Sequence, residues 1–502
     1  MNNFSVNILR SGLVLLYLGL IACVILAIGS VYSYLNTGAD RSKMLHTEQL
    51  EQRTYRPIIT WDTTAVKGRS VNKTMLATIE KDYLNAWRVK ANALKNNDIN
   101  GVSDFYTKRS LGKLKSIIDY NIKNGTTVEM TTLEHHPKIE FMSEDGQIVV
   151  ISDTEVLQYQ KTYQDNQIID EQNTSNDYKV VLLLQDGHWH IRHLVSTGVR
   201  SITSNFETLP LHSKVRGINY YPQKFPWDTF NDSITKATFD SDFNLLKNQG
   251  INTIRIFIGY EDFGKEYVQS KKVNKLLELL DSAHSNDLDV LVTLFDFYGN
   301  YDVEDWTMTT QHLNQLIPQI MNHPALLGYD LKNEPDLDYE NRSPSMVDSW
   351  LEQMIYRLKL LDQDHPVTIG WSNAQAATGL SEDVDFVSFH YYEDLDELSN
   401  KWEKLRSQLS EKEIVITEYG WSSYTGILGL SSSEKEQAEY HKKANSILKE
   451  KKIPAMSWTL YDFNQVPDKV TGILPWRRNP QKFYGFIDVH GNKKPTFKHL
   501  SN

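Results

Sequence analysis

In 502 residues there is one cysteine, Cys23, and it lies within an apolar stretch near the N-terminus. Everything beyond it is thiol-free, which excludes a disulfide within the chain and any cysteine-based zinc site. Dense runs of lysine and arginine are also missing, and the formal net charge is −11. A nucleic-acid partner needs a concentrated basic surface, so that class is excluded. Charge and apolar content are those of a folded chain, not a disordered one. What remains is a ligand that is neutral, or one held by shape and hydrogen bonds. The length exceeds one ordinary core, so two domains or more are expected.

From Ser11 to Ala39 no residue is charged, and Leu13 to Leu35 is dominated by Leu, Ile, Val, Ala and Tyr. A bilayer takes about 20 such residues. The reading is a cytoplasmic tail over 1–10, a transmembrane anchor over 11–35 and a polar stalk over 36–70. Arg10 before the span and Arg41 and Lys43 after it give little charge bias. The orientation, single-pass with the catalytic mass outside the cytoplasm, therefore rests on the large C-terminal remainder. Two rival readings stay open. One is a cleaved signal peptide with Ala27-Ile28-Gly29 as its small-residue site. The other is a lipobox-like Leu20-Ile21-Ala22-Cys23, against which stands the apolar run continuing through Ile28.

A helical pattern follows from Asn72 to about Asn96, with Leu76, Ile79, Tyr83, Trp87 and Leu94 on one stripe. A second runs from about Val102 to Asn124 and is closed by Gly125. The pattern then turns strand-like, ending in two apolar-alternating runs joined by Asp186-Gly187, a hairpin signal. Helices followed by an antiparallel sheet predict an α+β domain over 71–200. In element order and terminal hairpin this region resembles the nuclear-transport-factor-2-like cone fold, which would make it a spacer or a module docking a membrane protein partner. His188 and His190 share a strand face with His193 close by. No further converging ligand is evident, so a solvated hairpin face is expected there, not a metal site.

From about residue 211 to 502 short apolar runs alternate with amphipathic helical stretches. Strands are expected at Val215–Tyr220, Thr253–Ile258, Val290–Phe295, Leu327–Leu331, Val367–Gly370, Phe386–His390, Ile414–Thr417 and Ala455–Leu460. Eight such runs predict an α/β fold, a (β/α)8 TIM barrel whose chemistry sits at the C-terminal strand ends. The short gap after the fifth run predicts a reduced helix. The fourth strand ends in Asn333-Glu334-Pro335, the seventh in Thr417-Glu418-Tyr419-Gly420. A carboxylate on each of two nearly opposite strands suits cleavage of a glycosidic bond, with one carboxyl protonating the leaving oxygen and the other attacking, or activating water, at the anomeric carbon; a barrel can hold the two about 5–5.5 Å apart, which favours a covalent glycosyl-enzyme and retention.

With those residues in place, the C-terminal half resembles glycoside hydrolase clan A, in particular the family 5 cellulase and mannanase group. The resemblance implies Glu334 as general acid/base and Glu418 as nucleophile. It implies Asn333 as the partner of the sugar 2-hydroxyl, and Arg255 as the second-strand arginine that holds the nucleophile. His390 and Tyr392 would flank the reacting sugar, and Trp458 would stack on it. Alternation puts Ile414, Ile416 and Glu418 on one face, and Ser388, His390 and Tyr392 on one face. One departure stands out: many family members end strand three with a histidine, whereas this strand runs Thr293-Leu294-Phe295-Asp296-Phe297-Tyr298. Trp227, Trp306, Trp421 and Trp476 suit either sugar subsites or packing. Lys332 shares a face with Asp330 and is expected to pair with it.

Two close carboxyls cannot both ionise cheaply, so a proton is expected on Glu334 while Arg255 keeps Glu418 anionic, giving a bell-shaped profile on the acidic side of neutrality. No cofactor and no metal are expected. The expected substrate is a polysaccharide or oligosaccharide cut at β-linkages by double displacement. A transglycosylase and a non-catalytic polysaccharide-binding or assembly factor are the alternatives.

Overall fold

The computed structural model describes residues 55–202, 206–212, 214–426, 432–471 and 475–500, with positions 17, 19–21, 23 and 24 of the N-terminal segment. The expected tail, the anchor over 11–35 apart from those positions, and the stalk up to residue 54 lie outside the described residues. Among the described residues no helix is long and apolar enough to cross a membrane. Residues from Tyr55 onward form one compact unit.

Its first layer is a strongly paired antiparallel sheet, β3 (Thr126–Met142), β4 (Ile148–Gln164), β5 (Gln167–Gln185) and β6 (His188–Ser201), in simple up-and-down order. Two helices cover one face, α1 (Lys73–Asn96) and α2 (Lys108–Asn124). Asn72 caps α1 by accepting from the Met75 N–H at 2.8 Å, and Gly125 ends α2 with φ 64°. The two-residue period of the strands and the helical stripe converge on one core, with Ile79, Tyr83 and Trp87 packed on Ile139, Ile151, Val180 and Ile191. The expected stalk is too long. Residues 55–70 belong to this layer, because β1 (Ile58–Ile59) and β2 (Lys67–Gly68) pair parallel with β3. These strands are two residues long, too short to show a hydrophobic period.

The second layer is a closed parallel barrel, β7 (Arg216–Asn219), β8 (Thr253–Gly259), β9 (Asp289–Asp296), β10 (Leu326–Asn333), β11 (Val367–Trp371), β12 (Phe386–Tyr391), β13 (Glu413–Tyr419) and β14 (Ala455–Ser457). Its helices are α3 (Lys236–Asn248), α4 (Ser270–Ser285), α5 (Trp306–Ile320), α6 (Pro344–Leu361), α7 (Leu395–Gln408) and α8 (Glu434–Lys451). Only a 3-10 turn, Ala376–Thr378, stands after β11. The floor of the barrel is filled by Leu291, Leu327, Phe386, Val415 and Met456.

This filling corrects one face assignment. Ile414 and Ile416 pack outward with the helices, while Val415 points inward. Glu418 nevertheless faces inward, because the register shifts between Phe389 and His390: Phe389 pairs with Ile416, but His390 pairs with Glu418. A bulge adds one residue and re-aims the strand end.

The sheet packs against the barrel through α5 and α6. Tyr159 on β4 lies 4.3 Å from Trp306, which is therefore packing and no sugar platform. Arg357 pairs with Glu134 at 2.7 Å, and Asn173 donates to Gln353 at 2.9 Å.

Candidate active site

The open, C-terminal end of the barrel is organised by one guanidinium. Arg255 on β8 is fully buried. Its Nη1 donates to Glu418 Oε1 at 2.5 Å and to Asn219 Oδ1 at 3.0 Å. Its Nη2 donates to Asn333 Oδ1 at 2.7 Å, and its Nε to Asp330 Oδ2 at 2.9 Å. A planar fork with five N–H donors is suited to hold two carboxylates and two amide oxygens from three strands in one geometry. The guanidinium stays charged despite burial because Asp330 and Glu418 outweigh the loss of solvent. Asp330 is fixed in turn by Thr293 Oγ1 at 3.0 Å and the Gly370 N–H at 2.8 Å. Only glycine fits at 370, since a Cβ there would lie 2.8 Å from Arg255 Nη2.

Glu334 follows β10 with φ 45°, in the left-handed region that non-glycine residues seldom adopt. Its N–H donates to Gly370 O at 2.7 Å, which anchors the turn into Pro335. The side chain reaches His390, whose Nδ1 lies 2.7 Å from Glu334 Oε1. The other ring nitrogen, Nε2, has no hydrogen-bond partner among the described residues and stands 3.5 Å from Glu418 Oε1. The Tyr392 hydroxyl donates to Glu418 Oε2 at 2.8 Å. One oxygen each of Glu334 and Glu418 and one nitrogen of His390 fall within 4.8 Å of one another. Among the described residues only this trio gathers ligating side chains so closely.

Burial pushes the Glu334 carboxyl up, but the hydrogen bond and charge of His390, with Arg255 and Lys332 behind them, outweigh it and hold the group below the usual carboxylate range. Burial pulls His390 down, and Glu418 and Glu334 reverse that and hold the imidazole up. The proton expected on Glu334 alone is thus held by the Glu334–His390 couple, with the imidazole favoured in the resting site.

The expected site residues Glu334, Glu418, Arg255, Asn333, His390 and Tyr392 meet around this point. Trp458 stands beside it in a wall of rings, 6.1 Å from Tyr221 and 5.7 Å from Trp227. Trp421 lies apart, stacked on Tyr440 at 5.3 Å, and the side chain of Trp476 is outside the described residues. The Lys332–Asp330 pair does not form: Asp330 belongs to Arg255, and Lys332 pairs with Asp338 at 3.2 Å. Asn219 and Gly370 are not singled out by the sequence. Asn219 is legible only as an inward polar residue at a strand end. Asp330 was seen but given the wrong partner, because strand alternation names the face and not the neighbour across the barrel. His188 is exposed and pairs loosely with Asp82 at 3.7 Å, away from any ligand cluster.

The family model for cellulase, glycosyl hydrolase family 5, matches residues 214–464, half of the chain. The chain belongs to this family. It is 24% identical over 208 residues, 35% of its own length, to mannan endo-1,4-beta-mannosidase A of Emericella nidulans. It spans about half, 51%, of that relative. Among solved structures it is similar to the exo-beta-1,4-mannosidase Op5Man5 from Opitutaceae bacterium strain TAV5, at 18% identity and TM-score 0.45, covering 57% of this chain and 58% of that one. It is also similar to a GH5_18 protein from Bifidobacterium longum subsp. longum, at 16% identity and TM-score 0.46, covering 57% and 78%. At those levels the two structures carry no argument about substrate.

Proposed function

We propose that the protein is a retaining glycosidase working by double displacement, with Glu418 as nucleophile and Glu334 as acid and base. The observation that carries this reading is the approach of the two carboxylates within 4.8 Å. Retaining sites hold their carboxyl groups about 5–5.5 Å apart, whereas inverting sites leave about 6.5–9.5 Å for a water. In the first step a Glu418 oxygen bonds to the anomeric carbon as the glycosidic C–O bond breaks, and the leaving oxygen takes its proton from Glu334. Arg255 and Tyr392 hold Glu418 aimed through hydrogen bonds to its two oxygens. His390 bridges the two carboxylates: its Nδ1 bond keeps the proton at the Glu334 end, and a sugar entering between the acids displaces that proton toward the leaving oxygen. Once Glu418 is esterified its charge is gone. Glu334 then takes a proton from water, the water oxygen bonds to the anomeric carbon, and Glu418 is released. Asn333, whose carbonyl is taken by Arg255, has its NH₂ group to offer a sugar hydroxyl.

The relative's name points to β-1,4-mannan as the first substrate to try. The test is release of reducing ends by the purified full chain from β-mannans, β-glucans and bacterial exopolysaccharides, with Glu334→Gln and Glu418→Gln as controls. Release that vanishes in both variants supports the reading, and release that survives in Glu418→Gln contradicts it. We further propose that the apolar segment over 11–35 holds the enzyme at a membrane with its barrel on the outer side; cleavage of the barrel by protease added to intact cells is expected, and full protection would contradict it.

A further inference from the structure

Away from the two glutamates, the helical shell of the barrel is incomplete. After β14 the element that lies against α8 is a five-residue 3-10 turn, Pro495–His499, where a full barrel would carry its last helix. A cavity of about 610 Å³ is left between that turn, α8 and the segments that lead into β7, β8 and β14. Its frame is held by protein. Asn252 Nδ2 donates to Lys214 O at 2.7 Å, and its Oδ1 accepts from the Arg216 N–H at 2.9 Å. Asn445 Nδ2 donates to His499 O at 2.6 Å, and its Oδ1 accepts from the Tyr419 hydroxyl at 3.3 Å. Small-molecule sites enclose about 300–1,000 Å³, so the space is large enough for an organic ligand.

Among the described residues four cations line this space, Lys214, Arg216, Lys449 and Lys452, and no acid does. None of the four has an ion-pair partner among the described residues. Other lysines of α8 do: Lys443 pairs with Asp396 at 2.5 Å and Lys451 with Glu403 at 2.6 Å. In a chain of net charge −11 such a cluster is a local reversal. Arg216 is half-buried, its Nη2 donating to Leu500 O at 3.2 Å and its Nη1 passing over Gly250, where a Cβ would come to 3.4 Å. Burial pulls its guanidinium down, and the one group opposing that is Tyr419, not a carboxylate. A half-buried guanidinium without a counter-ion calls for an anion. Between the cations Ile251, Leu448 and Ile453 supply apolar wall. Four positive groups exceed what one carboxylate answers, whereas a phosphate ester carries up to two charges and takes both guanidinium and ammonium donors.

We propose that this cavity binds a phosphate ester with an apolar body, its phosphate held by Arg216, Lys214, Lys449 and Lys452 and its apolar part laid on Ile251, Leu448 and Ile453. A membrane phospholipid and a soluble phosphate monoester share that chemistry. None of these residues touches Glu334 or Glu418, so the site stands whichever reaction the two glutamates perform.

The test is calorimetric titration of the purified full chain with hexyl phosphate, inorganic phosphate, hexanol, dihexanoyl phosphatidic acid and dihexanoyl phosphatidylcholine, each below its micelle concentration. Hexyl phosphate is expected to bind at least about tenfold more tightly than inorganic phosphate or hexanol, and its Kd to rise with added salt. Arg216→Gln should weaken it by about tenfold or more, and so should the double change Lys449→Glu and Lys452→Glu, made on exposed side chains that the fold does not need. Glu418→Gln should leave it unchanged. Tighter binding of phosphatidic acid than of hexyl phosphate would identify a lipid, and the reverse a soluble ester. No binding of either ester, phosphatidylcholine bound as tightly as phosphatidic acid, binding untouched by the two lysine changes, or binding lost in Glu418→Gln would overturn the proposal. Binding that appears only once Ser501 and Asn502 are removed would overturn it too, since the occupant would then be the chain itself.

Discussion

The two layers each bury a network of polar groups, and the networks differ in one respect. In the sheet layer Asp153 accepts from the Tyr83 hydroxyl and pairs with His135 Nδ1, both at 2.6 Å, and also accepts from the His136 N–H at 2.9 Å. His135 Nε2 meets Thr132 at 2.8 Å, and Thr132 meets the Tyr55 hydroxyl. Both ring nitrogens of His135 and both oxygens of Asp153 thus have protein partners. In the barrel the inner half is equally closed, with Arg255 saturated by Asp330, Asn219, Asn333 and Glu418. In its outer half, among the described residues, His390 Nε2 has no hydrogen-bond partner, and Glu334 Oε2 and the carboxyl of Asp296 accept no hydrogen bond. A closed network specifies a fold; an open one on a closed base specifies a ligand site.

Mutations should separate the two. The largest effect belongs to the open half. Glu418→Gln is expected to lower kcat by about 10⁴-fold or more, and Glu334→Gln by about 10²- to 10⁴-fold, with little change in melting temperature. A large loss of stability in either variant would blur the distinction. Next comes the shared base. Arg255→Met strands two buried carboxylates and should cost about 3–5 kcal/mol in denaturant unfolding as well as activity. In the closed network Asp153→Asn should cost about 1–3 kcal/mol while kcat on a soluble oligosaccharide stays unchanged. A drop in kcat there would mean that the sheet layer shapes the site.

The smallest effect has a definite sign. The folded-state pKa of Asp296 is about 7, raised from an ordinary value near 3.8. The native fold therefore favours the protonated form, and stability is lost as pH rises through that window. Asp296→Asn cannot ionise, so it should melt about 2–4 °C above the native chain at pH near 8 and at the same temperature near pH 4. A native chain more stable than the variant at pH 8 would show that Asp296 has a cationic partner in the fold.

The same contrast explains what was legible beforehand. Eight apolar runs at helix-length intervals betray a barrel because burial on both faces leaves little else. Glu334 and Glu418 stand out because charge at the end of such a run has no packing use. Bulges were not legible. They invert alternation after Thr293 and before Glu418, so Asp296 was noted only as a departure and the inward face of β13 was assigned to the wrong isoleucines. Two-residue strands such as Ile58–Ile59 are too short to carry a period. Cross-barrel partners such as Asp330 for Arg255 depend on geometry that one-dimensional spacing does not encode.

The central claim is that Glu418 becomes covalently bonded to sugar. Incubation with 2,4-dinitrophenyl 2-deoxy-2-fluoro-β-mannoside and its gluco counterpart, followed by mass spectrometry of proteolytic peptides, tests it directly. One fluorosugar mass on the peptide containing Glu418, absent in Glu418→Gln, is predicted. Turnover of the natural substrate with no adduct, or with the adduct on Glu334, would contradict it.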